Sequence, residues 1–227
     1  MKIFSTTVYG ANPRYIMGVH KQYELAKHFY PDWEFRVYVD NAQYFNMPHA
    51  NIIEVKDGSY GMFWRLLPLF ESDDNITIIR DADSRITERE ALATHIWLLT
   101  NKKFHVMRDH EAHLQDKPIM GGIFGVKGQL SGHQKQLMQT YLHGQHRYGA
   151  DEEFLRDHVY DESQCLVHEI RKGWFGLSRK LMLNRYEFCG NGYDEHDMPI
   201  YPPTMQEMNG YNHKTLPSSA KFMSYPK

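Results

Sequence analysis

The run Ile76-Thr77-Ile78-Ile79-Arg80 is apolar and β-branched for most of its length, and it stops at Asp81-Ala82-Asp83-Ser84-Arg85. A stretch of that composition reads as a buried strand. Two carboxylates one residue apart at its exit can both turn toward a single point beyond the sheet. Hard oxygen donors suit Mg²⁺ or Mn²⁺, ions that complete their shells with water and substrate phosphates. The pattern therefore points to a nucleotide substrate that carries phosphates.

Asp also follows strands as a turn former or helix cap. Here the cap is assigned elsewhere: Thr87-Glu88-Arg89-Glu90 has capping-box spacing ahead of Ala91, Leu92, Ile96 and Leu99. Asp81 and Asp83 are thus left in a loop between strand and helix, where a carboxylate adds little to a core.

The chain has 227 residues, enough for one α/β domain, read as residues 1–201 with a C-terminal extension over 202–227. Its net charge of −2 does not advertise nucleic acid or an anionic membrane, although Lys102, Lys103 and Lys127 offer a local basic group. Cys165 and Cys189 form no Cys-x-x-Cys pair, which argues against structural zinc and a disulfide framework. No apolar run is long enough for a signal peptide or a membrane span, so the expected setting is cytoplasmic, without a membrane partner.

Strands are predicted over 3–9, 35–40, 52–55, 76–80, 104–110 and 118–126. Helices are predicted from about Tyr15 to Tyr30, from Tyr60 to a stop near Pro68, from Glu88, over 133–143 and from Gly149. The last of these starts with Asp151-Glu152-Glu153, as the helix dipole favours. Gly121-Gly122 marks a close approach by a ligand or a neighbouring backbone. The alternation of strands and helices argues for an α/β sheet.

In this order the pieces resemble the GT-A class of nucleotide-sugar glycosyltransferases, and within it a group of small bacterial and viral enzymes. The resemblance rests on Phe63-Trp64-Arg65-Leu66-Leu67, on Ile78 to Arg85, on Ile119 to Phe124 and on Gly149 to Leu155. It implies a Rossmann-like open mixed sheet flanked by helices. It also implies a hexosyl- or pentosyltransferase using Mn²⁺ or Mg²⁺ and a nucleotide-diphosphate sugar, a UDP-sugar first. Asp81 and Asp83 become the metal ligands, with His168 as candidate third ligand, although the glycine spacing after His168 departs from the family's pattern. Arg65 and Arg80 would face the donor phosphates.

Thr6, Tyr9 and Tyr15 at the first strand end, with Trp64, would flank the base; Arg108, Gly121 and Gly122 would complete the donor pocket. Asp109 is the candidate for the sugar hydroxyls, and Asp151 and Glu152 lead as catalytic carboxylates. Helix capping remains the other reading of those two, as a loop-bracing ion pair does for Asp109. His105, His110 and His113 lack metal-site spacing and are read as hydrogen-bonding or surface groups. The acceptor is a saccharide or a hydroxylated base in viral DNA. Rival classes are a nucleotidyltransferase or sugar-phosphate hydrolase using paired aspartates, disfavoured by the lack of an N-terminal Gly-rich phosphate loop, and a non-catalytic carbohydrate-binding module.

Overall fold

The seven strands of the sheet lie in the order β3-β2-β1-β4-β6-β5-β7. They are β1 (Lys2–Val8), β2 (Glu34–Val39), β3 (Asn51–Glu54), β4 (Ile76–Arg80), β5 (Phe104–Arg108), β6 (Ile123–Lys127) and β7 (Cys165–Glu169). The computed structural model describes residues 1–114, 117–144, 146–169 and 187–202. β1 to β4 run parallel, β6 is antiparallel to both β4 and β5, and β7 is parallel to β5. This is the open mixed α/β sheet expected from the sequence. The expected extension, 202–227, lies outside the described residues except for Pro202.

Apolar clusters cover both faces of the sheet. α1 (Pro13–Phe29) packs Val19, Tyr23 and Ala26 on Phe4, Val37 and Ile78. Asn12 caps this helix through Arg14 N, and Pro13 supplies its fixed φ at the start. On the opposite face Ile79, Val106 and Phe124 meet Phe63, Leu66, Met138 and Phe154. Met138 belongs to α3 (Gly132–Leu142), which has a reciprocal Ser131–Gln134 capping box, and Phe154 ends the short α4 (Ala150–Phe154).

The expected helix before β4 is a 3₁₀ helix, Gly61–Phe70. Pro68 has no N–H to donate, and two of the backbone carbonyls face β1 instead. Ser5 Oγ donates to the Arg65 carbonyl at 2.8 Å and Thr7 Oγ1 to the Gly61 carbonyl at 3.0 Å. Residues two apart on one face of a strand thereby fix residues four apart on the helix, and with them the position of Arg65.

α2 (Glu88–Leu98) starts at Thr87, whose hydroxyl accepts from Glu90 N at 3.2 Å. The reciprocal half of the expected box is not made. The fully buried Glu90 carboxylate instead accepts from Arg80 Nε at 2.6 Å.

β5 and β7 carry a buried histidine pair. His105 stacks on Trp97 (centroids 5.4 Å) and meets the His168 ring edge-on at 5.0 Å. Burial holds the His105 imidazole well below the ordinary histidine range and lowers His168 to about 4. Their unfolded counterparts titrate near pH 6.5, so the unfolded chain binds protons that the folded chain refuses. The stability tied to the neutral rings is fully present above about pH 6.5 and declines as pH falls toward 4, by up to about 3 kcal/mol for a shift the size of that on His168. Urea unfolding between pH 7 and 4 should show this decline, and His105→Phe should flatten it; an unchanged pH slope in the variant would show that His105 does not contribute.

Candidate active site

Strand order reverses between β1 and β4: the chain leaves β1 toward β2 and β3, then returns to place β4 on the other side. Beyond the carboxyl ends of such a pair an open α/β sheet leaves a crevice. A cleft of about 430 Å³ lies there, lined by Thr7, Tyr9, Arg14, Tyr15, Arg65, Asp81, Asp83, Gly121, Gly122, Asp151 and Glu152 among others.

The Asp81–Asp83 bend is held from below by α1. The Asp81 carbonyl accepts from Ser84 N at 3.1 Å and from the Gln22 side chain, which also reaches the Ser84 carbonyl at 3.1 Å. Gly18 lets the helix approach, because a Cβ there would overlap the Ala82 carbonyl oxygen.

From the other face Arg65, 7% exposed, spans two carboxylates: Nη1 donates to Asp81 Oδ1 at 2.5 Å and Nη2 to Asp151 Oδ2 at 2.6 Å. The glycine pair makes room for both. Register pairs Arg80 with Ile123, which brings Gly122 beside Asp81, and a Cβ on Gly122 would overlap that carboxylate. A Cβ on Gly121 would overlap Asp151. The close approach read from the glycines is thus made by two side chains, and the pair precedes β6, which begins at Ile123 rather than at 118.

Asp83 is 8% exposed and forms an ion pair with Arg14 at the start of α1. Burial, then the nearby Asp81 carboxylate, push its pKa above the usual range, while Arg14 pulls it down. Its backbone carbonyl accepts from Tyr193 N at 2.9 Å, tying residues 187–202 to the cleft. A lightly anchored loop carboxylate was expected here; Asp83 is built into the structure.

The acids of α4 each have a cation. Asp151 takes Arg65, Glu152 takes Lys117 and Glu153 takes Arg147. Glu152 faces the cleft with its pKa raised, burial being the main cause. Tyr9 and Tyr15 also line the cleft, with the Arg14 guanidinium 5.3 Å from the Tyr15 ring centre.

Six expected site residues do not line the cleft. Thr6 is fully buried and its neighbour Thr7 takes the lining position, since successive strand residues face opposite ways. Trp64 is core, its Nε1 donating to Ser59 Oγ at 2.8 Å. Arg80 is 1% exposed and paired with Glu90.

Arg108 donates to the Pro118 carbonyl and Tyr160, and Asp109 is buried against Arg89 while accepting from Cys189 N at 3.2 Å. The bracing pair weighed for Asp109 is therefore the one that forms, with Arg89 rather than Arg108 as its partner. His168 lies on β7, three strands from β4 and so roughly 14 Å across the sheet, too far to share an ion with Asp83. His110 and His113 do line the cleft, and burial lowers His113 to about 3, leaving it neutral.

Sequence reasoning missed Arg14, Gln22, Tyr148, Phe188 and Tyr201. Gln22 and Arg14 act from α1, where a helical glutamine and a first-turn arginine carry no signal. Tyr148 is 87% exposed at the cleft mouth, and Phe188 and Tyr201 arrive on a segment read as irregular.

Among the described residues no group of three or more His, Cys, Asp or Glu side chains is placed to hold a metal. Asp81 and Asp83 nevertheless suit Mg²⁺ or Mn²⁺. Two hard carboxylates facing one cleft is the protein share such ions ordinarily take, with water and phosphate supplying the rest.

No family model matches the chain, and no curated protein matches it in sequence. Among solved structures it is similar to a glycosyltransferase involved in glycosylation of the major capsid of PBCV-1, at 15% identity over 74% of this chain and 81% of that one, TM-score 0.46. The galactosyltransferase LgtC in complex with donor and acceptor sugar analogues aligns at 13% identity over 75% and 74%, TM-score 0.44. Bifunctional IspDF from Campylobacter jejuni aligns at 14% over 80% and 54%, TM-score 0.43. Likeness at this level assigns no activity.

Arg65, read from the sequence as facing the donor phosphates, also supports the fold through its burial between two acids: removing one partner of a buried pair leaves the other charge uncompensated, at a cost of about 3 kcal/mol. Arg65→Ala should lower stability by about that amount, and Asp151→Asn made in that background should cost little more. A double-mutant cycle on urea unfolding checks this; strictly additive losses would show that the two groups are not coupled.

Proposed function

We propose that the chain is a metal-dependent glycosyltransferase that moves a sugar from a nucleotide-diphosphate donor, a UDP-sugar first, to an acceptor hydroxyl. The observation that carries this reading is the convergence of Asp81 and Asp83 on the cleft at the β1/β4 switch point, with Asp151 and Glu152 facing them across Gly121-Gly122. In the reaction the bond from the anomeric carbon to the phosphate oxygen breaks, a bond to the acceptor oxygen forms, and the acceptor proton leaves to a base.

A cation held by Asp81 and Asp83 would neutralise charge on the departing diphosphate. Arg65 holds Asp81 and Asp151 in place and supplies a fixed positive charge beneath the leaving group. Tyr9 and Tyr15 offer ring faces to the base at the end of β1. Glu152, with its raised pKa and its exposed partner Lys117, is the carboxylate better placed to take the acceptor proton, because Asp151 is 2% exposed and committed to Arg65.

Charge favours a saccharide acceptor over DNA. The lining carries Asp81, Asp83, Asp151 and Glu152 against Arg14 and Arg65, and both arginines are engaged by those acids. Among the described lining residues, a DNA strand would meet no Lys or Arg in this acidic mouth that an acid does not already engage. Lys102, Lys103 and Lys127 donate to backbone carbonyls. Lys127 pairs with Ile76, at the far end of β4 from Asp81. Tyr148 and Tyr201 at the rim present flat apolar faces suited to sugar rings.

UDP should raise the melting temperature far more with Mn²⁺ than with EDTA, since a ligand that binds only the folded state stabilises it by mass action. Equal shifts in the two conditions would remove the metal from the site. Asp81→Asn, whose side chain is 43% exposed, is a cleaner test than a change at buried Asp83, and should cut turnover about a hundredfold or more while the protein stays folded. Release of free UDP from a UDP-sugar on addition of a neutral oligosaccharide marks the transferase. Release of pyrophosphate from a nucleoside triphosphate with a sugar phosphate would mark a nucleotidyltransferase instead.

A further inference from the structure

We infer that Arg14 is a stand-in for the cation: it occupies Asp83 when no metal is bound, and a divalent ion must displace it to reach that carboxylate. The inference rests on the metal-site reading above and adds a residue that sets cation affinity. Arg14 comes from the first turn of α1, 69 residues away in sequence from Asp83, and their ion pair lies in the cleft lining.

The guanidinium is only partly committed. Nη2 makes the pair with Asp83, whereas Nε is buried without a hydrogen-bond partner. A buried donor left unpaired opposes this arrangement, so the pair is poised for exchange rather than locked. Arg65 Nε is likewise without a partner, but Arg65 differs in that its two terminal nitrogens hold two acids at once, whereas Arg14 holds one. Space is equally specific: a Cβ on Gly192 would come within 2.8 Å of Arg14 Nη2 and 3.0 Å of Asp83 Oδ2. The glycine therefore keeps open the place where the two groups meet.

A divalent ion drawn to Asp83 Oδ2 competes with the guanidinium that already holds that oxygen, since each needs its lone pairs and their charges repel. Occupancy by one excludes the other, and the apparent cation affinity falls by the fraction of molecules in which Asp83 is free. Removing the competitor lifts that penalty. The same linkage requires cation binding to free Arg14.

The test uses Mn²⁺ alone, without nucleotide, titrated into the full chain and followed by the electron paramagnetic resonance of the free ion. Arg14→Gln should bind Mn²⁺ about tenfold tighter than the wild type, a change within the range of ordinary coupling between sites. Equal or weaker binding by a folded Arg14→Gln would overturn the inference and leave the metal site standing, whereas failure of both proteins to bind Mn²⁺ would overturn both. Loss of positive charge alone also tightens cation binding, so a second measurement follows the Arg14 side-chain N–H signals of the wild type by NMR as Mg²⁺ is added. Displacement predicts that they shift and exchange faster with solvent; signals that stay fixed while Mg²⁺ binds would overturn it. This wild-type measurement decides the matter if Arg14→Gln does not fold.

Discussion

The Arg65 bridge between Asp81 and Asp151 is the interaction on which the rest of the cleft depends. It joins the end of β4 to the start of α4 through an arginine that lies 86 residues from Asp151 in the chain. Every neighbouring feature accommodates it. Ser5 and Thr7 dock the 3₁₀ helix that carries the arginine, and Gly121 and Gly122 vacate the volume into which the two carboxylates fit. A buried guanidinium is tolerable only where its donors are matched, and the matching acids are the groups that face the cleft.

The same economy of charge runs through the molecule. Arg80 meets Glu90, Arg89 meets Asp109, and Arg14 meets Asp83, each in a buried or half-buried pair. The first two lie outside the cleft and act as braces. Asp109 also receives Cys189 N, which anchors the segment that delivers Phe188, Gly190 and Gly192 to the cleft. The pair on Asp83 is the one of the three that lies in the cleft lining, and it is the one that a ligand would have to open.

An acidic cleft with its arginines already engaged also limits what enters. A nucleotide diphosphate meets net negative charge unless a cation comes with it, and a polyanionic acceptor meets the same barrier with no cation to carry it. A neutral polyol meets none, and finds the exposed faces of Tyr148 and Tyr201 at the rim. The proposed metal dependence and the proposed saccharide acceptor both rest on this one charge arrangement.

Local pattern alone determined the strand that ends in Asp81 and Asp83, the succession of the first six strands though not of β7, and the need for space at Gly121-Gly122, because these follow from side-chain periodicity and backbone sterics within a few residues. Partner choice could not be read that way. Glu90 has the spacing of a capping residue, yet it lies buried against Arg80, and Arg80 is lost to the donor for that reason. Asp109 follows a strand as Asp81 does and His168 lies within one, but β5 and β7 stand two and three places from β4 in the sheet, an order that no local pattern encodes. Arg14 shows the limit most plainly: it is an unremarked first-turn arginine until tertiary folding lays α1 over the Asp81–Asp83 bend. Ion pairs depend on distances of a few ångströms between groups dozens of residues apart, and those distances exist only once the sheet order has been set.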